Sequence, residues 1–257
     1  IGLMPYSSLV IRSLTFVRRM PQVNLQWFCL IWFAFVFLFF SLSGTKLPHY
    51  VNYGATGLII LMALYIDTLR SRFWAFLPAA LFFAVFLFLP ELIGAGLPTV
   101  EDPYFKASFA DYQQYFGWGY RLFYVAALGM TVYFMVERKT ALPAKLLITG
   151  LATALSVSGV FMPRLGEILQ EPVKEAGLLA RGQALDVVQY RVHLPSISVY
   201  RQAETPRQKP EPGQVALTAP AYLDELGPHD VIFAKGGVVL ARIRAPGAKD
   251  AESPASP

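Results

Sequence analysis

Charged residues are scarce in this chain. They form 15% of its 257 residues, against about a quarter in an ordinary soluble domain, while 55% of the chain is hydrophobic. That balance excludes a single water-soluble globule and points to a membrane protein. Cysteine is almost absent. Cys29 stands alone inside an apolar run, so no intrachain disulfide can form, and the redox compartment is left open. There is no Gly-rich phosphate loop, no His-Glu-x-x-His, no paired cysteines for zinc and no Gly-x-Ser-x-Gly. A nucleotide-driven pump or a soluble-type hydrolase therefore has no basis in the sequence. His49, His193 and His229 lie far apart in three different contexts, so no metal site is expected from them, and no cofactor is called for. The net charge is +5. Its lysines and arginines flank apolar runs and do not interleave with aromatics, so no nucleic-acid partner is expected.

What the sequence does have is long apolar runs. A spanning helix needs about 20 mostly apolar residues, and five stretches reach or approach that length: 23–43, 48–66, 73–89, 118–136 and 146–162. Basic residues gather in alternate loops. Arg12, Arg18, Arg19, Arg70, Arg72, Arg138, Lys139 and Lys145 fall on one side, with Lys46, Lys106 and Arg121 on the other. The positive-inside rule makes the first side cytoplasmic. An odd number of spans then delivers everything after Met162 to the outer, periplasmic side.

Beyond Met162 the pattern changes. Leu165, Ile168, Leu169, Val173, Ala176, Leu179 and Ala180 recur at helical spacing over 164–180. Strand-like runs at 185–192 and 197–200 flank Leu194-Pro195-Ser196, which reads as a turn. A further run at 215–218 precedes a short helix at 221–226. Strands at 231–234 and 238–243 meet at Lys235-Gly236-Gly237, a hairpin signal. The expected fold is a multi-pass α-helical membrane protein with a small C-terminal α/β extracytoplasmic domain. Residues 1–22 read as the end of a truncated helix plus a cytoplasmic loop, and 23–162 as a membrane domain of about five spanning helices. Residues 163–244 form the periplasmic α/β domain and 245–257 a disordered tail.

One outer turn is chemically suggestive. In Ser43-Gly44-Thr45-Lys46-Leu47-Pro48-His49-Tyr50, Pro48 suits the first turn of a helix whose free amides and dipole would face an anion beside the Lys46 ammonium. A lipid phosphate fits there. From position alone, a snorkelling lysine and an aromatic-belt tyrosine account for the same residues more simply. On the next outer loop Glu101, Asp102 and Asp111 accompany Tyr104, Tyr112, Tyr115 and Trp118. These groups are able to hydrogen-bond sugar hydroxyls and stack on sugar faces, although solvated acids beside an interfacial aromatic belt need no ligand. Glu91 is a weaker candidate, and Asp67 falls at the cytoplasmic end.

The run Phe39-Phe40-Ser41-Leu42-Ser43-Gly44-Thr45-Lys46-Leu47-Pro48-His49-Tyr50, with Gly2-Leu3-Met4-Pro5-Tyr6-Ser7 upstream, resembles the C-terminal half of bacterial aminoarabinose transferase-like glycosyltransferases. That family is related to the protein O-mannosyltransferases within the C-type glycosyltransferase superfamily. The segment Val188-Gln189-Tyr190-Arg191-Val192-His193-Leu194-Pro195-Ser196-Ile197-Ser198-Val199-Tyr200-Arg201 resembles the same family's terminal domain. The resemblance implies an enzyme of the bacterial inner membrane that passes a sugar from a polyprenyl-phosphate carrier to an acceptor lipid, glycan or protein on the outer face. It places Lys46 and Tyr50 near the lipid-phosphate and donor cavity, with His49 at a position where the family varies. It leaves Glu101, Asp102, Asp111 and Tyr104 as possible sugar or acceptor contacts. The family's catalytic carboxylate belongs to an early outer loop, so it is expected in a segment preceding Ile1, and this stretch alone is expected to be inactive. A transporter or flippase of lipid-linked sugars, or a non-catalytic envelope scaffold, is the alternative. Transporters place broken helices and polar residues near the midplane, whereas here the span interiors are almost wholly apolar.

Overall fold

The computed structural model describes residues 6–16, 24–42, 50, 52–69 and 71–244. In chain order the helices are α1 (Ser7–Phe16), α2 (Asn24–Leu42), α3 (Asn52–Leu64), α4 (Arg72–Leu87), α5 (Leu89–Gly96), α6 (Pro103–Ser108), α7 (Trp118–Val136), α8 (Leu142–Leu155), α9 (Met162–Leu169), α10 (Glu171–Gly182) and α11 (Ser196–Arg201). The strands are β1 (Val187–Gln189), β2 (Val215–Thr218), β3 (His229–Lys235) and β4 (Val238–Ile243). Two compact units result, Ile1–Leu87 with Leu122–Ser156 and Phe88–Arg121 with Val157–Pro257.

Apolar helices make up the first unit, and some of them run on into residues of the second. Among the described residues, Asn24–Leu42, Trp118–Val136 and Leu142–Leu169 are long and apolar enough to cross a membrane, and the broken pair Arg72–Leu87 plus Leu89–Thr99 makes a fourth if it is one span. The sequence leads to an expectation of five. The run at 48–66 supplies only the 13-residue α3 among the described residues, which is short for a bilayer crossing. Large apolar side chains point outward from these helices, with Ile31 61%, Phe35 65% and Leu42 85% exposed. In water such a surface would drive association. Against lipid it is the expected exterior.

Packing inside this unit is close where side chains are small. A Cβ on Gly57 of α3 would lie 2.6 Å from the Cys29 carbonyl oxygen of α2, and one on Gly54 would lie 2.9 Å from Val36 Cβ. The two glycines thus let the helix backbones approach as small residues do between membrane helices. Cys29, Leu61 and Tyr65 form the adjoining core. A second feature is not legible in the sequence. Lys145 reads as a solvated topology charge, yet it is fully buried in α8, with its Nζ 2.7 Å from Glu137 Oε2. The same ammonium donates to the carbonyl oxygens of Glu137 at 2.6 Å and Phe134 at 3.3 Å. These carbonyls belong to the end of α7, where no next helical turn supplies donors. A cation beside a helix C-terminus also complements its dipole.

The second unit carries the sheet, ordered β1-β2-β4-β3, with β1 parallel to β2 and the other pairs antiparallel. Its core joins Val173, Ala176 and Ala180 of α10 to Val187, Val215, Leu217, Val238 and Leu240 of the strands. The hairpin forms as the glycines indicate. Lys235 pairs with Val238 across a two-residue turn, and Gly236 adopts φ +53°. Two expectations are corrected. The helical pattern over 164–180 is not one helix but α9 and α10, divided at Gln170; Pro172, which lacks an N–H, occupies the first turn of the new helix. The run 197–200 is helical, not extended. Helix α11 buries Ile197 against α10, where a Cβ on Gly177 would meet Tyr200 Cβ at 2.6 Å. That close contact with α10 decides between two periods that four residues cannot distinguish.

Candidate functional site

Strand β1 determines the site. Beyond Gln189 the chain must leave the sheet, and it turns at Arg191, whose φ of +61° is uncommon for a residue with a side chain. Val192 is buried and anchors the turn. The buried Gln189 side chain ties this turn to a second, later segment. Its Oε1 accepts from the Leu194 amide at 2.7 Å, and its Nε2 donates to the Thr205 carbonyl at 3.0 Å. Its backbone also donates to Pro206 O and accepts from Gln208 N, which pairs Gln189 with Arg207 in a parallel bridge. One buried amide residue therefore positions the segment 191–196 opposite Arg207.

Those two walls enclose a polar cleft of about 490 Å³ in the second unit. Arg191, His193, Pro195 and Ser196 line one side and Arg207 another; Tyr222 enters from the 3-10 turn Pro220–Leu226. Asp102 and Tyr104 come from the start of α6, and Leu169 and Gln170 from the break between α9 and α10. Asp102 caps α6, its Oδ1 accepting from the amides of Tyr104 at 2.8 Å and Phe105 at 3.4 Å. Tyr104 donates its hydroxyl to Leu169 O at 3.3 Å, and burial pushes its ionisation upward, so it remains a neutral donor.

The charges in the cleft are unevenly committed. Arg191 Nε lies 3.1 Å from Glu225 Oε2, and Tyr190 donates to the same oxygen at 2.9 Å. Arg207 and His193 have no side-chain hydrogen-bond or ion-pair partner among the described residues. Two guanidiniums, an imidazole and a serine hydroxyl beside the faces of Tyr104 and Tyr222 are suited to a phosphate or a hydroxyl-rich ligand. Among the described residues no cluster of three or more His, Cys, Asp or Glu is arranged to hold a metal ion.

Placement of the expected site residues is mixed. Asp102 and Tyr104 line the cleft, whereas Glu101 and Asp111 are exposed outside its lining. Tyr50 belongs to the first unit and packs its ring on Phe40, with centroids 4.6 Å apart. Lys46 and His49 lie outside the described residues. Glu91 is paired with Arg121 at 2.6 Å. The sequence does not single out Arg207, Gln170 or Tyr222. Arg207 sits in the stretch 205–213, rich in Pro and charge, which reads from the sequence as a loop, and its pairing with Gln189 brings it to the cleft. Comparison of the chain with protein-family models, with curated proteins and with solved structures gives no match.

Proposed function

We propose that this chain belongs to a membrane glycosyltransferase that moves a sugar from a polyprenyl-phosphate carrier to an acceptor on the outer face of the cytoplasmic membrane. One observation supports the reading above the others. The segment 188–201, the second of the two stretches that carry the resemblance to aminoarabinose transferase-like enzymes, contributes residues 191–196 to the wall of a cleft, in a chain that also carries three apolar helices of spanning length. In the reaction the acceptor oxygen forms a bond to the anomeric carbon as the bond from that carbon to the phosphate oxygen breaks. The acceptor proton passes to a carboxylate, and polyprenyl phosphate leaves. Lys46 is assigned to the departing phosphate, where a fixed cation stabilises the charge that develops. Asp102 is not assigned as the base, because its Oδ1 is committed to two backbone amides.

Lys46 provides the test. A hydrogen bond to a charged group contributes about 1.5–3 kcal/mol, so Lys46→Ala in the natural protein should weaken donor binding or turnover roughly ten- to a hundredfold. Lys46→Arg should retain part of the function, because charge survives while the compact ammonium becomes a planar fork. Donor kinetics that stay unchanged at normal folded yield would return Lys46 to a snorkelling role and remove the phosphate assignment.

The orientation is tested separately. In a Cys29→Ser background, cysteine introduced by Ser71→Cys should be shielded from an impermeant thiol reagent in intact cells. Ser198→Cys should be labelled once the outer membrane is made permeable. The opposite pattern would place the sheet unit in the cytoplasm and exclude outer-face chemistry.

A further inference from the structure

The polar cleft has an apolar neighbour in the same unit. A groove of about 360 Å³ is lined by Ile93, Gly96, Leu97, Val100, Phe105 and Phe109, with hardly any polar surface. Phe105 lines both cavities, so the groove and the cleft adjoin the same side chain, which is itself 43% exposed. A ligand that fills both must be amphiphilic. Its polar end meets Arg207 and His193, which have no side-chain partner among the described residues. The nearby carboxylates are already engaged, Asp102 by the α6 amides and Glu225 by Arg191 and Tyr190. Asp102 keeps its negative charge on the α6 amides, and Arg207 is the lining guanidinium that no carboxylate pairs, so an anionic head group is favoured where it reaches Arg207. The apolar end lies against the end of the broken apolar pair Arg72–Leu87 plus Leu89–Thr99, where Ile93 and Leu97 sit.

We propose that the cleft and the groove together hold one anionic phospholipid of the bilayer, its phosphate against Arg207 and His193 and an acyl chain along Leu97, Val100 and Phe109. The assignment does not depend on the transferase reading; a transporter or a scaffold would bind the lipid equally. The lipid ties the sheet unit to the membrane surface. Free phosphate would satisfy the cleft alone, and a neutral lipid tail the groove alone, whereas a phospholipid satisfies both.

Three probes separate these cases on the purified full chain in neutral detergent, with retained ligand counted by native mass spectrometry: phosphatidylglycerol, diacylglycerol with the same acyl chains, and glycerol phosphate. Phosphatidylglycerol should be retained at one molecule per protein, with an affinity about tenfold or more above either fragment probe, since one charge-assisted hydrogen bond alone is worth about that factor. Arg207→Glu and Val100→Asp should each lower it by about tenfold while leaving the thermal melt of the protein in place, because both side chains are at least partly exposed. Arg181→Glu, an equal charge change at an exposed position outside both cavities, should not alter it. Equal loss with Arg181→Glu would reduce the effect to diffuse attraction and overturn the site. Glycerol phosphate binding as tightly as phosphatidylglycerol would overturn the lipid, as would no retention at all. Sugar transfer is scored independently of all three probes, so failure of the enzyme reading and failure of this one are distinguishable.

Discussion

Gly237→Val is expected to unfold or displace the cleft, and to do so far more than any change at the neighbouring glycine. A Cβ on Gly237 would stand 2.5 Å from the Tyr104 carbonyl oxygen and closer still to Ser108 Oγ, an approach that real Cβ atoms do not make. The Tyr104 oxygen is backbone, so no side-chain rotation relieves that contact. Helix α6 would have to move, and α6 carries Asp102, Tyr104 and Phe105. Overpacking of this kind costs about 3 kcal/mol at the upper end of the usual range. That is a large share of the roughly 5–15 kcal/mol that holds a typical domain. At roughly 4 °C per kcal/mol the melting midpoint of the sheet unit should fall by about 10 °C. Phosphatidylglycerol retention should fall with it. Gly236→Ala is the control. Gly236 needs its positive φ, for which an L-residue pays about 1 kcal/mol, but a Cβ there meets nothing nearer than 3.7 Å. Melting of the two variants followed by circular dichroism, with lipid retention measured on each, decides the matter. Equal effects from both would mean that turn strain, not the approach of Gly237 to α6, governs this corner.

Removing either partner of the Lys145–Glu137 pair should destabilise the first unit, and removing the acid should be the worse change. With Glu137→Ala the Lys145 ammonium stays fully buried without a counter-charge. With Lys145→Met the carboxylate keeps the Thr140 amide, at 3.1 Å from Oε1, and the Lys139 amide. Breaking a buried pair on one side costs more than replacing both partners by apolar groups of similar shape. The double variant Lys145→Met with Glu137→Met should therefore be milder than the sum of the single changes, as expected for residues in direct contact. Acid should weaken the unit by the same route. The hydrogen bond from Lys145 holds the Glu137 carboxyl at about 2, below its usual 4.5. A depressed carboxylate adds stability that is fully present above pH 4.5 and is lost as pH falls toward 2. Detergent-solubilised protein melted between pH 7 and pH 3 should show this loss, and Lys145→Met should abolish most of it. A flat profile in the unaltered protein would rule the pair out as a stabilising element.

Much of the architecture is written in short-range patterns. Scarce charge and apolar runs of about bilayer length mark the helices that are long and apolar enough to cross a membrane, and a bilayer accepts only segments that satisfy their own backbone groups. Glycines at 236 and 237 identify the hairpin, because positive φ is a property of single residues. Local pattern misleads where two periods compete over a few residues. Ile197 to Tyr200 alternates as a strand does, and only the approach of α10 at Gly177 makes it a helix. The break at Gln170 is similar, because a residue preceding a proline-led first turn looks the same as a residue inside a longer helix.

The site divides along the same line. By itself the sequence determined that the chain is rich in long apolar helices and that acids and tyrosines cluster near Asp102, while a resemblance marked out residues 188–201. The first two come from composition and local order. Only the tertiary structure decided that Asp102 and Tyr104 face Arg191, His193 and Arg207, residues about 90 to 100 positions away. That meeting depends on a buried glutamine, Gln189, bonding two distant segments at once, and on a glycine, Gly237, small enough to let α6 lie against the hairpin. The burial of Lys145 was decided in the same way. A lysine beside an apolar span reads as a solvated charge until a neighbouring helix end presents carbonyls and a carboxylate to it. Contacts that close long loops leave no periodic trace in the chain, because their energy comes from groups that become neighbours only after folding.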